Sequence, residues 1–414
     1  MTYIHKNFRI SDKLKTIGRI FNFQQAMNGE QEKLDYLKER NLLELIVEEI
    51  KKNVVSEDAN IKALIIKITL RLVKNATYTS SNLLVSGDTG AGKDNLVKAV
   101  CNTCLELEVN YFWRNGVTQK IFNYWNADKK DFTWRNKVVF FEDPSIEFLN
   151  SPDMKTMGSG NPNKTVVKDQ KTMDVNIEGK PILIITSKKS QIEDENVRRY
   201  DNIEVDESIE TTNAVIRRAL HIDKVGDANT VLQEALKKNL FEKNVRIPFE
   251  KKLYKTLPMT LVMRTNVYKL LDFIRASCVL YQHQREKDED GYLIATYQDY
   301  DIGYEVFKHL LGKGNRIPLS SKEREVVMAL ERAKKDLNLQ NIANGCKNVN
   351  YDWLIRKNIE GLRHIDILLE KKAILKGEME PSGLNFKPME TFRAIFIDKK
   401  DFKKITEKEL LREI

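Results

Sequence analysis

A glycine-rich turn between an apolar run and a helical segment restricts the fold of this chain more than any other feature. The turn reads Gly87-Asp-Thr-Gly-Ala-Gly92-Lys93-Asp94, and it follows the apolar run Leu83-Leu84-Val85. Its glycines let the backbone curl so that several N–H groups point inward at phosphate oxygens, and the positive N-terminal end of the following helix adds to the attraction. We therefore predict a strand–loop–helix unit that binds ATP with Mg²⁺ through Gly87, Asp88, Thr89, Gly90, Ala91, Gly92, Lys93, Asp94 and Asn95.

The last position of this turn departs from the usual pattern, which has Ser or Thr after the lysine. Asp94 stands there instead. A carboxylate is a good Mg²⁺ ligand and a helix N-terminus tolerates its charge, but it adds negative charge close to the phosphates. We predict that Asp94 is a metal ligand and that nucleotide binding depends unusually strongly on Mg²⁺. A degenerate site that binds nucleotide and hydrolyses it poorly is the alternative.

Two further apolar runs end in polar residues and extend the predicted sheet. The run Val-Val-Phe-Phe ends in Glu142 and Asp143, and the run Ile-Leu-Ile-Ile ends in Thr186 and Ser187. Such runs, separated by longer segments, are typical of buried parallel strands, whose carboxyl ends meet at one edge. We predict that Glu142 ligates the metal and Asp143 polarises the attacking water, or the reverse, because their order is opposite to the common Asp-Glu. A hydroxyl of Thr186 or Ser187 would contact the γ-phosphate or the water.

The size and charge of the chain limit the classes of protein that remain. Its 414 residues suffice for two or three domains, and its 41% hydrophobic residues suffice for a buried core. The net charge of +9 is a mild bias toward a polyanionic partner. Four cysteines favour a reducing compartment over a disulfide scaffold, and no stretch of about 18 apolar residues could span a bilayer. We expect a soluble protein of the cytoplasm that does not contact a membrane.

The pattern of apolar residues divides the chain into three regions. Helical spacing predicts an N-terminal helical segment over 1–76. The three strands and the mostly helical stretch after them predict an α/β domain with a parallel sheet, flanking helices and a helical lid over 77–312. Residues 318–414 combine two or three predicted helices with strand-like runs at 372–376 and 394–397, which is the outline of a winged-helix domain.

With the phosphate turn, the acidic strand end and the polar strand end in this order, the chain resembles the AAA+ ATPases. It is most similar to ring helicases of the minichromosome maintenance and superfamily 3 types, and to the helicase-like ATPases carried by phages, plasmids and other mobile elements. Asn196–Asp201 resembles the Ser-Arg-Phe-Asp stretch that carries their arginine finger, so the resemblance makes Arg199 the finger and Arg198 the near alternative. The stretch around Arg264 resembles the helix that carries their second sensor arginine.

The resemblance implies a ring with hydrolysis at the contacts between subunits. A finger that lies far from its own phosphate turn must act on a neighbour, so we expect a homo-oligomer, a hexamer in the resembled helicases. A hairpin predicted within 155–180 would project into the central channel, where Lys164, Lys168 and Lys171 would hold single-stranded or forked DNA by its phosphates. A primase or another replication protein is an expected partner.

Two functions remain open from the sequence. One is an ATP-driven DNA helicase or translocase of a mobile element or virus. The other is an ATP-switched loader or adaptor that assembles on DNA without unwinding it. Asp94 and the reversed acidic pair favour the second function, because they could slow turnover. The winged helix would serve as a DNA contact or as a protein contact. A nucleotide kinase is a weaker hypothesis, disfavoured by the long insertions, by Arg199 and by the winged helix.

Overall fold

The computed structural model describes the chain between residues 29 and 407 with gaps. The described residues are 29–77, 82–117, 121, 132–151, 154, 163–168, 171–176, 179–187, 200–254, 257, 263–311, 325, 329, 337–350, 369–371, 385–388 and 404–407. The helices are α1 (29–37), α2 (Leu42–Lys51), α3 (Asp58–Thr69), α4 (Lys93–Cys104), α5 (Ile146–Leu149), α6 (Ile209–Ala219), α7 (Thr230–Lys238), α8 (Glu250–Leu253), α9 (Met263–Leu280), α10 (Tyr297–Leu311) and α11 (Leu339–Asn344). The strands are β1 (Leu83–Ser86), β2 (Tyr111–Asn115), β3 (Val138–Glu142), β4 (Asn163–Lys168), β5 (Lys171–Asn176), β6 (Ile182–Ser187), β7 (Asp201–Glu204), β8 (Val245–Arg246), β9 (Leu293–Ile294), β10 (Leu337–Asn338), β11 (Leu369–Lys371) and β12 (Asn385–Pro388).

Five parallel strands form the central sheet in the order β2-β3-β6-β1-β7. Strand β1 therefore lies between β6 and β7, with Leu84 level with Ile185 on one side and Asn202 on the other. Strand β6 separates β1 from β3. Because all five strands run the same way, the carboxyl ends of β1, β3 and β6 meet at one edge of the sheet. We call this the C-terminal edge.

Side chains of the sheet alternate between two apolar cores, as the two-residue period of a strand requires. Val85 and Phe140 belong to the larger core, which includes side chains of α2, α3, α4, α9 and α10. Phe141 and Ile185 belong to the smaller core on the opposite face, with Phe148 of α5. The sheet is thus buried on both faces, which explains why its strands are continuous apolar runs in the sequence. This confirms the predicted α/β fold with a parallel sheet and flanking helices.

The N-terminal helices share the larger core with the sheet. Ile61, Leu64 and Ile68 of α3 are buried, and α3 lies against α9, α10 and α4. The backbone N–H of Leu43 in α2 donates to Tyr281 Oη, just after α9, at 3.1 Å. Helices α2 and α3 therefore share one apolar core with the sheet, and the predicted division into 1–76, 77–312 and 318–414 stays a prediction. Among the helices that the structure describes, none combines the length and the apolar character needed to cross a bilayer.

Three smaller sheets are not paired with the central one, and the first is the parallel pair of β8 and β9. Strands β4 and β5 pair antiparallel with Lys168 level with Lys171, which is the hairpin predicted within 155–180. Strands β10, β12 and β11 form an antiparallel sheet in that order, and α11 follows β10 directly. The strand-like runs predicted at 372–376 and 394–397 lie outside the described residues, so the winged helix stays a prediction.

Candidate nucleotide-binding site

Two glycines shape the turn after β1. Gly87 is packed so closely that a Cβ atom at this position would lie 2.4 Å from Cγ2 of Val205. Gly92 has a φ of +85°, in the left-handed region that favours glycine, and directly precedes α4. The turn therefore leads the chain from β1 into α4 and places the N-terminus of α4 at the C-terminal edge. Helix geometry leaves the first N–H groups of such a helix without intrahelical acceptors, so they can bind an anion.

The ammonium group of Lys93 lies within this turn. Lys93 is only 7% exposed, and its Nζ donates to the carbonyl oxygen of Asp88 at 2.7 Å. Glu207 also binds the turn, because its Oε1 accepts from the backbone N–H of Asp88 at 2.6 Å. A buried cation beside a helix N-terminus favours a polyanionic ligand.

Hydrogen bonds join the turn to both other predicted strand ends. The backbone N–H of Asp143 donates to Thr186 Oγ1 at 3.1 Å, and the Thr186 hydroxyl donates to Asp94 Oδ1 at 2.5 Å. Thr186 is fully buried, so these two bonds satisfy a hydroxyl that has no access to water. The structure thus brings together three segments that are about 50 residues apart in the sequence.

The backbone of Asp143 is strained where it leaves β3. Its φ is +41°, a value that residues other than glycine rarely adopt. Its side chain is exposed at the C-terminal edge. Strain of this kind concentrates at functional sites, where the surrounding structure enforces it. The exposed carboxylate of Asp143 is therefore a candidate for contact with a ligand at this edge.

Glu142 has partners away from the turn. Its Oε1 accepts from Lys98 Nζ at 2.8 Å, and its Oε2 accepts from Trp113 Nε1 at 2.8 Å. The Lys98 ammonium group also lies 4.3 Å from the centroid of the Trp113 ring, within cation–π distance. Both carboxylate oxygens are engaged, so ligation of a metal by Glu142 would require one of these bonds to open. The division of roles between Glu142 and Asp143 stays a prediction.

The sequence did not point to Lys98, Trp113 or Glu207 as neighbours of the site. Lys98 follows Asp94 by one helical turn, a spacing that could have placed it on the same face of α4. Trp113 lies on β2, a strand that we did not predict from the sequence. Glu207 follows β7 in a polar stretch, and no pattern in that stretch distinguishes it.

The other predicted hydroxyl lies inside the sheet, and the predicted arginines and lysines lie outside the described side chains. Ser187 is fully buried and level with Ser86 of β1. Arg198 and Arg199 lie outside the described residues. Arg264 belongs to the first turn of α9, and Lys164, Lys168 and Lys171 belong to β4 and β5, but their side chains are outside the described part of the chain.

A buried ion cluster holds the start of β7. Asp201 Oδ1 accepts from Lys269 Nζ of α9 at 2.6 Å, and Asp201 Oδ2 accepts from Lys67 Nζ of α3. All three side chains are buried. Burial lowers the pKa of Lys67 to about 8. Burial alone would raise the pKa of Asp201, but the two ammonium groups outweigh it and hold that pKa at about 2.

The carboxylates of the C-terminal edge fit a magnesium ion that arrives with a nucleotide. Within the described part of the chain, no three His, Cys, Asp or Glu side chains converge as a ready-made metal site. Mg²⁺ usually keeps several waters and takes one or two carboxylates beside substrate phosphates. Asp94 in the first turn of α4 offers such an oxygen, with the Thr186 hydroxyl beside it. These residues therefore fit Mg²⁺ bound jointly with phosphates.

Comparison with known proteins agrees with this geometry. The family model described as the MTBMA_p00010 P-loop domain matches residues 27–245, just over half of the 414 residues. The match includes the turn, all five strands of the central sheet, and the helices α2 and α3. No curated protein matches the chain significantly. A P-loop domain indicates nucleotide binding and hydrolysis, and the chain belongs to the MTBMA_p00010 P-loop domain family.

Proposed function

We propose that this chain is an AAA+ ATPase that hydrolyses ATP at the contact between two copies and uses the cycle to move along DNA. The observation that carries the proposal is the hydrogen-bond chain from the Asp143 N–H through Thr186 to Asp94. It joins an acidic strand end, a hydroxyl and the phosphate turn in one cluster. Such a cluster can hold a nucleotide and an attacking water in line, which is most of what phosphoryl transfer needs from a protein.

Each group has a task in this proposal. The N–H groups of the turn and the Lys93 ammonium bind the phosphates, and the Asp94 carboxylate would hold the Mg²⁺ that is bound with them. Thr186 fixes the orientation of Asp94, and Asp143 orients the water and accepts its proton. Mg²⁺ would neutralise the charge that develops on the phosphate oxygens.

The strand order supports an arginine supplied by a neighbour. Asp201, the first residue of β7, lies level with Leu83 at the amino end of β1, so the chain enters β7 at the edge opposite to the turn. Arg198 and Arg199 precede Asp201 by three and two residues. An arginine at that edge would reach the turn of another copy more easily than the turn of its own copy. This supports hydrolysis in an oligomer, with a hexameric ring as the specific proposal.

The DNA part of the proposal rests on the hairpin and on the resemblance to ring helicases of mobile elements and viruses. Lys168 and Lys171 are paired at the end of the β4–β5 hairpin, and Lys164 lies on the same strand as Lys168. Lysines at a hairpin end suit the phosphate backbone of a single strand, and their loss should reduce the salt dependence of binding. We expect single-stranded or forked DNA as the substrate and a primase as a candidate partner.

A strand-displacement assay tests the proposal. We expect a forked DNA to be unwound with ATP and Mg²⁺, and not with a non-hydrolysable ATP analogue. The variant Lys93→Ala should unwind nothing. ATP hydrolysis without any displacement of a strand, by a protein that stays bound to DNA, would contradict the motor function.

ATP hydrolysis without strand displacement is the result that a loader or adaptor would give. One observation favours this function. Both oxygens of Glu142 are engaged by Lys98 and Trp113, so one carboxylate of the acidic pair is withheld from the metal. Slow turnover would follow, and slow turnover suits a protein that assembles on DNA in its ATP state. Binding of DNA that is equally tight with ATP and with the analogue would support the adaptor.

A further inference from the structure

Three chain segments meet at the edge of the central sheet that lies opposite to the phosphate turn, where β1, β3 and β6 begin. We call this the amino edge. The segments are 71–74, 135–137 and 241–243. Lys137 directly precedes β3, and Arg135 Nε donates to Glu242 Oε1 at 3.2 Å. The backbone N–H of Lys74 donates to the carbonyl oxygen of Lys243 at 2.9 Å. These bonds join the three segments into one surface.

These segments carry more positive charge than they neutralise. Glu242 is their acidic residue, and it pairs with Arg135. Their other cationic residues are Arg71, Lys74, Lys137 and Lys243. Within the described part of the chain, these four form no ion pair. The Lys137 ammonium group instead donates to the carbonyl oxygen of Val109 at 2.7 Å. The amino edge therefore attracts a polyanion.

Arg71 is the most unusual of these cations. It is 8% exposed, and its Nε atom has no hydrogen-bond partner in the described structure. It lines a cavity together with Cys104 and Leu105, at the end of α4. Burial lowers the pKa of Arg71 to about 10, and burial together with the Arg71 guanidinium lowers the pKa of Lys137. A buried charge without a counter-charge costs free energy, and a ligand that supplies the anion would account for it.

An exposed aromatic residue lies among these cations. Phe241 directly precedes Glu242 and Lys243, and it is 53% exposed. Its backbone N–H donates to Gln282 Oε1 at 3.3 Å, so the main chain is held in place independently of the ring. Proteins that bind single-stranded nucleic acid combine cations for the phosphates with aromatic rings on which unpaired bases stack. The amino edge has both.

We propose that the amino edge binds single-stranded nucleic acid, with the cations on its phosphates and Phe241 stacked on a base. We call the site the amino-edge patch, which consists of Arg71, Lys74, Arg135, Lys137, Phe241 and Lys243. The site goes beyond the proposed function, in which the β4–β5 hairpin holds DNA, because the patch needs neither the hairpin nor ATP to bind a strand.

The amino-edge patch adjoins the base of the hairpin. Strand β5 ends at Asn176, and Gly179 follows three residues later. A Cβ atom on Gly179 would lie 2.4 Å from the backbone nitrogen of Arg135, so the chain that leaves the hairpin packs against the patch. A nucleic-acid strand held by the hairpin can therefore continue onto the patch.

Binding of a labelled oligothymidylate of about 16 nucleotides tests the patch. Fluorescence anisotropy is measured without ATP, at several salt concentrations, in a background that lacks the hairpin lysines. This background is Lys164→Ala/Lys168→Ala/Lys171→Ala. We expect it to bind the oligonucleotide. Phe241→Ala should weaken this binding by about tenfold and leave its salt dependence unchanged, because stacking on a base releases no counterions. The control Tyr254→Ala removes an aromatic ring from a residue that is 67% exposed after α8, and it should change nothing.

The lysines of the patch are tested by the salt dependence itself. In the same background, Lys74→Ala/Lys243→Ala should lower the slope of log affinity against log salt by about 1.4, because each lost phosphate contact removes about 0.7. The control Lys224→Ala, which removes an exposed cation after α6, should leave the slope unchanged. An unchanged slope in the double variant would contradict phosphate contacts at the amino edge.

Arg71→Met tests whether the buried guanidinium is kept for a ligand. The change removes a charge that lacks a counter-charge, so we expect the melting temperature to stay equal or to rise. The affinity for the oligonucleotide should fall by about tenfold, because a charge-assisted bond to a phosphate is lost. Unchanged affinity would contradict the role of Arg71, whatever happens to the melting temperature.

Three further results would overturn the inference. The first is binding by the wild type that disappears with the hairpin lysines, which would leave the proposed function intact. The second is equal affinity for a duplex of the same length, because paired bases cannot stack on Phe241. The third is displacement of the oligonucleotide by polyglutamate at equal concentration of charge, which would identify an acidic protein as the ligand. Absence of DNA binding by the wild type would contradict the DNA part of the proposed function as well.

Discussion

At the scale of single residues, Thr186 connects the groups of the candidate site. Its hydroxyl accepts from Asp143 and donates to Asp94, so it fixes the position of two acidic residues at once. We expect Thr186→Val to lower the rate of ATP hydrolysis by about 10–100-fold and to change the ATP affinity less than about threefold. Single-turnover hydrolysis and calorimetry measure the two quantities.

Thr186→Ser is the matched control, because it keeps the hydroxyl and removes only a methyl group. It should retain most of the activity. Equal losses in the valine and serine variants would mean that any change at this position impairs hydrolysis, and would contradict a specific role of the hydroxyl.

A substitution at Gly87 tests how closely the turn is packed. A Cβ atom there would lie 2.4 Å from Val205 Cγ2 and 3.0 Å from Glu207 Oε1. We expect Gly87→Ala to lower the free energy of unfolding by about 1–3 kcal/mol and to weaken ATP binding. In a double-mutant cycle with Val205→Ala, the second change should remove part of this loss, with a coupling energy of about 1 kcal/mol in urea denaturation. Additive losses would contradict close contact between the two residues.

At the scale of elements, the start of β7 is anchored to two helices by one carboxylate. Lys67 of α3 and Lys269 of α9 both bind Asp201, and all three are buried. Asp201→Asn removes the carboxylate that binds both buried ammonium groups, so we expect it to cost about 3–5 kcal/mol. Lys269→Met leaves the ion pair of Lys67 and Asp201 intact and should cost less. Urea denaturation measures both, and an equal cost would contradict the shared anchor.

The elements that the sequence predicted best are those with continuous apolar runs. Strands β1, β3 and β6 are buried on both faces, and this gives each of them a run that is visible in the sequence. Strand β2 was not anticipated, because it lies at the edge of the sheet and its burial ends after Phe112. Its polar end, Arg114-Asn115, breaks any apolar pattern.

The candidate site was predictable to a similar degree. The turn and the two strand ends follow from local sequence, and parallel pairing brings them to one edge. The partners of Glu142 do not follow, because Trp113 reaches it only through the pairing of β2 with β3. Strand order depends on how the connections cross the sheet, and it cannot be predicted from the spacing of residues in the sequence.

At the scale of the whole molecule, the buried Lys67 and the half-buried Lys180 couple stability to pH. Burial lowers the pKa of Lys67 and that of Lys180 to about 8, and Asp201, Lys269 and Asp272 complete the charged surroundings of Lys67. Between about pH 8 and pH 10.5 the unfolded chain holds protons on these lysines that the folded chain has released. The lysines therefore make the free energy of unfolding rise with pH across this window.

A comparison of the wild type with Lys67→Met isolates the contribution of Lys67. From pH 7.5 to pH 9.5, we expect the wild type to gain stability over the variant by up to about 1.4 kcal/mol per pH unit. Urea denaturation at each pH measures the difference, in which the other titrating groups largely cancel. A difference that stays constant, or one that shrinks as the pH rises, would contradict a buried Lys67 with a lowered pKa.

The central claim is that the turn from Gly87 to Asp94 binds a nucleoside triphosphate with Mg²⁺, and calorimetric titration of ATP tests it most directly. The wild type should bind one ATP per chain in the presence of Mg²⁺ and far more weakly without it. Lys93→Ala, which removes the buried ammonium group, should weaken binding by at least about tenfold, or 1.4 kcal/mol. No binding by the wild type, or equal binding by the wild type and Lys93→Ala, would contradict the claim.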